Sequence, residues 1–94
     1  MALDILVVDD ERDIRELVSG VLEDEGYQTR LAANSDAALE AVAARRPSLV
    51  LLDVWLQGSR LDGLDLLEEM KRRDPSIPVI VISGHGNQIG RAHV

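Results

Sequence analysis

Ser48-Leu49-Val50-Leu51-Leu52-Asp53 is a run of large apolar residues that ends on a carboxylate. Pro47 stands before it and Gly58 follows it. A continuous apolar run this short, with turn-forming residues near both ends, predicts a strand buried on both faces. Asp53 then sits at the strand's C-terminal tip. In open α/β sheets that edge is where ligands bind and chemistry happens.

Upstream, residues 3–8 (Leu-Asp-Ile-Leu-Val-Val) form a second buried-strand pattern that runs into Asp9-Asp10-Glu11. The plain reading of those acids is a helix cap, because acids favour the positive end of the helix dipole. Residues 11–25 follow, with Ile14, Leu17, Val18, Val21 and Leu22 at the spacing of an inward-facing helical stripe. Gly26 is placed to end that helix in the left-handed conformation. Gly20, inside it, costs about 1 kcal/mol relative to Ala and either allows close packing or does nothing. Residues 27–32 mix polar and β-forming side chains, as an edge strand with one wet face does. Asn34-Ser35-Asp36 supplies an N-cap to a helix of small residues, Ala37 to Val42, which closes at Arg45-Arg46-Pro47.

Downstream, residues 54–61 form a loop. Asp62-Gly63 opens a third helix over residues 64–73, with Leu64, Leu67 and Met70 expected to face inward. Asp74-Pro75-Ser76 is a turn, and residues 78–82 (Pro-Val-Ile-Val-Ile) are a further strand leading into Ser83-Gly84. Strands and helices that alternate in this way predict an α/β fold, a three-layer, doubly wound parallel sheet with right-handed crossovers.

Composition narrows the function. Ninety-four residues make one domain at most. A formal net charge of -7 and an aromatic content of one Tyr and one Trp argue against phosphate-backbone contact and base stacking. Without Cys there is no disulfide, thiolate nucleophile or zinc-thiolate site. No apolar run approaches the roughly 20 residues that span a bilayer. The N-terminus lacks a basic segment ahead of an apolar one, so the expected location is cytoplasmic, with no membrane contact.

The chemistry lies in three carboxylates. Asp9 and Asp10 end the first strand and Asp53 ends the third. If those strands are neighbours, about 4.8 Å apart, the acids converge. Three converging carboxylates repel and call for a cation, and hard oxygen ligands with places left for water and phosphate suit Mg2+. A carboxylate beside such a metal can attack phosphorus and form an aspartyl phosphate.

The elements Val8-Asp9-Asp10, Asp53 after Leu-Val-Leu-Leu, Asp62-Gly63 and Val-Ile-Val-Ile-Ser83-Gly84 resemble the receiver (CheY-like) domain of two-component response regulators. The resemblance covers residues 3–87 and implies a flavodoxin-like sheet of strand order 2-1-3-4. It implies that Asp53 is the phosphoacceptor, that Asp10 binds Mg2+ directly and that Asp9 holds it through water. It further implies the Trp55 backbone carbonyl as a metal ligand and Ser83 as a switch hydroxyl. The implied partner is a sensor histidine kinase. Such a domain is not a conventional enzyme, since it catalyses only its own phosphorylation and dephosphorylation.

Two features depart from the family pattern. Asp53 and Asp62 are separated by two more residues than usual, and Gln57 lies where proline is common. This loop is similar to that of the nitrogen-regulation (NtrC/NtrX-type) branch, whose members are transcription regulators. The family's lysine at the end of a fifth strand has no counterpart, because the only lysine is Lys71, in the third helix. Residues 1–87 therefore read as a receiver domain lacking its fourth helix, fifth strand and fifth helix, and with them the native dimer face. Residues 88–94 read as a non-native or disordered tail; Ile-Gly-Arg-Ala-His-Val at 89–94 is what one frame of a common sequencing adapter encodes. Phosphorylation is expected to be impaired. The competing readings are a non-catalytic α/β interaction module, an inactive fragment, and an Asp-nucleophile phosphatase of the haloacid-dehalogenase type. The last needs Asp-x-Asp after its first strand, whereas Val54-Trp55 follows Asp53.

Overall fold

A computed structural model describes residues 3–54, 56, 62–82, 92 and 93. The chain runs β1 (Asp4–Val8), α1 (Arg12–Asp24), β2 (Gln28–Ala32), α2 (Ser35–Ala44), β3 (Leu49–Asp53), α3 (Gly63–Arg73), β4 (Val79–Ile82) and β5 (Ala92–His93). The sheet order is β2-β1-β3-β4-β5. The first four strands are parallel, which gives the expected 2-1-3-4 arrangement. Parallel neighbours need a helix between them, and the intervening amphipathic segments provide it.

Within residues 88–94, expected as a non-native or disordered tail, Ala92 and His93 form a short strand. They pair antiparallel with Ile82 and Val81. This two-residue antiparallel ladder pairs part of the β4 edge that lies away from β3. Unpaired backbone groups on a sheet edge recruit whatever extended chain can reach them.

The core lies on one face of the sheet. Leu6 and Val8 of β1, Val50 and Leu52 of β3, and Val79 and Val81 of β4 point to the same side. Ala38 and Leu39 of α2, and Leu66 and Met70 of α3, close over them. In α3 the inward residues include Leu66 rather than the expected Leu64, which is 59% exposed. The helix begins at Gly63, and that start turns Leu66 and Met70, four residues apart, onto the sheet.

The opposite face is thinly covered. Helix α1 leans on β1 and β2. Of its expected stripe, Val18 and Leu22 are half-buried, but Leu17 and Val21 are 64% and 56% exposed. The apolar stripe is wider than the surface that two strands offer. Gly20 has open space where a Cβ would stand, so it serves no close approach.

Local chemistry sets the helix ends. Gly26 adopts φ 94°, and its N–H donates to the Glu23 carbonyl while Tyr27 N–H donates to that of Leu22. This is the Schellman arrangement. Asn34 Oδ1 accepts from Ala37 N–H, and Asp62 Oδ1 from Asp65 N–H, each at 2.8 Å. At the sheet's N-terminal edge, the Arg30 guanidinium grips both Asp4 carboxylate oxygens and the carbonyls of Ala41 and Arg45. Burial alone would raise the Asp4 carboxyl, but hydrogen bonds from Arg30 and Arg45 hold it below its ordinary value.

Candidate functional site

The site is built by strand register. Val8 is paired with Leu52, so Asp9 leaves β1 at the level where Asp53 ends β3. Asp53 is in turn paired with Ile82 of β4. The apolar runs on either side of each acid fix this alignment, because a one-residue slip would turn every core side chain to the wrong face. Asp9, Asp10 and Asp53 each present a carboxylate oxygen within 4.8 Å of the others. Asp53 is buried, while Asp9 and Asp10 are partly covered.

Asp9 is held at three points. Its N–H donates to the Ala32 carbonyl at 3.1 Å, its Oδ1 accepts from Glu11 N–H at 2.8 Å, and its carbonyl accepts from Arg15 Nη1 at 2.7 Å. Asp9 thus binds the turn ahead of α1, whose N-cap residue is Glu11 and makes no side-chain capping bond. Burial pushes the Asp9 carboxyl up to about 6, against the pull of the Glu11 N–H, and the charges of Asp53 and Asp10 add to the rise. Two full charges at this separation repel by about 3 kcal/mol at an effective dielectric of about 20.

The donor set fits a hard divalent cation. It supplies three carboxylate oxygens and no nitrogen or sulfur, the choice that suits Mg2+ over zinc or copper. The expected ligand Trp55 and the expected hydroxyl Ser83 lie outside the described residues. Lys71 Nζ donates to the Ile77 carbonyl, just before β4 begins. It is therefore committed to the sheet edge opposite Asp53, as its place in the third helix implied.

Two residues that shape the site were not singled out for that role. Gly63 packs against the backbone that leaves Asp53: a Cβ there would fall 2.6 Å from the Asp53 carbonyl oxygen and closer still to Val54 Cα. The Asp62-Gly63 pair was legible as a helix start, but not as a contact with the acid. Arg15 was hidden among the charged residues of α1, and no local pattern marks it.

Comparison with known proteins agrees with this geometry. A family model described as the response regulator receiver domain matches residues 5–94. Nitrogen assimilation regulatory protein NtrX of Azorhizobium caulinodans is 64% identical over 87 residues, which cover 93% of this chain and 19% of that protein. Sporulation initiation phosphotransferase F of Bacillus subtilis is 46% identical over 82 residues, covering 87% and 64%. The crystal structure of the receiver domain of NtrX from Brucella abortus superposes with a TM-score of 0.85 at 64% identity, covering 89% of this chain and 70% of that one. The chain spans about a fifth of the length of the NtrX-type relatives it matches. By sequence, strand order and fold, this chain belongs to the response regulator receiver domain family.

Proposed function

We propose that this chain acts as a phosphoacceptor, with Asp53 taking a phosphoryl group from a phosphohistidine of a sensor histidine kinase. The observation that carries this reading is the convergence of Asp9, Asp10 and Asp53 at the C-terminal rim of the sheet. An Asp53 carboxylate oxygen attacks phosphorus, the P–N bond breaks, and the leaving imidazole takes up a proton. The products are an acyl phosphate on Asp53 and a neutral histidine on the kinase. Mg2+, held by Asp10, Asp53 and the Trp55 carbonyl and by Asp9 through water, would offset charge on the phosphoryl oxygens. Ser83, the residue after Ile82 in the sequence, would donate its hydroxyl to one of those oxygens. Burial of Asp53 keeps competing water from the acceptor.

The 64% identity to NtrX supports a role in nitrogen-responsive regulation of transcription, within a longer protein that carries the output. A cytoplasmic location agrees with this, and no described helix is long and apolar enough to cross a membrane.

Among the 94 residues given, Lys71 is the only lysine, and it is held at the far edge, so these residues place no lysine ammonium beside Asp53 to balance the incoming phosphoryl charge. Incubation with acetyl phosphate and Mg2+, followed by intact mass, is expected to show slow, substoichiometric gain of one phosphoryl group. Asp53→Asn is expected to show none. Labelling that persists in Asp53→Asn would remove Asp53 from its role, and rapid stoichiometric labelling of the wild type would refute the need for the lysine.

A further inference from the structure

We propose that Arg15 is a positioning residue of the acidic site, fixing the main chain of Asp9 so that the Asp9 and Asp10 carboxylates face Asp53. The proposal rests on reading that site as a Mg2+ centre. The pairing of β1 with both neighbours stops at Val8, so the Asp9 carbonyl has left the ladder, and α1 begins only at Arg12. A partly covered carbonyl in that gap needs a donor. Arg15 provides it from six residues away, at 2.7 Å.

The choice of acceptor matters. Arg15 places its bond on a neutral carbonyl, not on a carboxylate. The guanidinium therefore holds the turn while leaving the carboxylate oxygens to a cation. An arginine suits this because its planar fork loses less freedom per bond formed than a flexible ammonium.

A counter-charge and a positioning residue predict opposite signs. If Arg15 served only as a nearby positive charge, its removal would tighten binding of a divalent cation. If it holds the turn, its removal weakens binding, as loss of an outer partner of a metal ligand does. The experiment is a Mg2+ titration at fixed ionic strength, read by the fluorescence of Trp55, the chain's only tryptophan. It compares wild type, Arg15→Met, which keeps the apolar stem and removes the donors, and Arg15→Gln, whose amide is too short to reach. Both variants are expected to bind Mg2+ roughly tenfold more weakly, with the folded far-ultraviolet circular dichroism spectrum retained. Should Arg15→Met not fold, Arg15→Gln is judged by the same criterion. Affinity equal to or tighter than wild type overturns the proposal. Absence of Mg2+ binding by the wild type overturns the metal reading itself, and so is told apart from failure of the Arg15 role.

Discussion

Asp9 carries the electrostatic tension of the site. An acid whose pKa is higher in the folded than in the unfolded state binds extra protons when folded, so stability falls as pH rises between the two values. For Asp9 that window runs from 3.8 to about 6. The lowered carboxyls of Asp4 and Asp74 act in the opposite sense, and only as pH drops below the ordinary carboxylate range. The metal-free chain is therefore expected to melt higher at about pH 5 than at about pH 7. Asp9→Asn should abolish that difference and raise the neutral-pH stability by about 1 kcal/mol, or roughly 4–8 °C, since solvent screens a partly exposed group. Thermal melts across pH check it, and a flat wild-type profile would count against the clustered charges. Gly63 makes the second prediction at this scale. Gly63→Ala forces α3 off the Asp53–Val54 backbone and should cost about 1–3 kcal/mol in denaturant unfolding. The three acids could be read from sequence because each follows a strand pattern directly. Arg15 and Gly63 act through contacts with distant backbone, which spacing does not encode.

At the scale of elements, the alternation of strand and helix patterns was enough to place the first seven elements to within about two residues. Period and capping chemistry are local, so Gly26, Asn34 and Asp62 announce their roles. What stayed hidden depends on neighbours. The inward face of α3 includes Leu66 instead of Leu64 because the helix starts against the β3 backbone. The Arg30–Asp4 clamp joins residues 26 apart, and no periodicity reveals it. The stripe of α1 was expected to be buried, yet much of it stands in solvent. Gly20 lies in that helix with open space where a Cβ would stand, so Gly20→Ala is expected to stabilise the fold by about 0.5–1 kcal/mol through lost unfolded-state freedom. Chemical denaturation measures this directly; a destabilised variant would mean that the space beside Gly20 is filled.

The whole molecule is asymmetric. One sheet face is closed by α2 and α3 and carries the core. On the other, Ile5 and Val7 are buried, but Leu49, Leu51, Ile80 and Ile82 are only partly covered, and Leu31 is 44% exposed. The acidic site sits at the rim between these faces, where β1 and β3 end side by side. It is held from both faces, with Gly63 of α3 pressed against the backbone that leaves Asp53 and Arg15 of α1 bonded to the Asp9 carbonyl. In the proposed reading, a site held in this way binds one Mg2+ per chain. Calorimetric titration of the wild type with Mg2+, set beside Asp10→Asn, tests that most directly. One bound ion per chain in the wild type and none in the variant is the predicted result. No heat of binding in the wild type, or equal binding in both proteins, would contradict it.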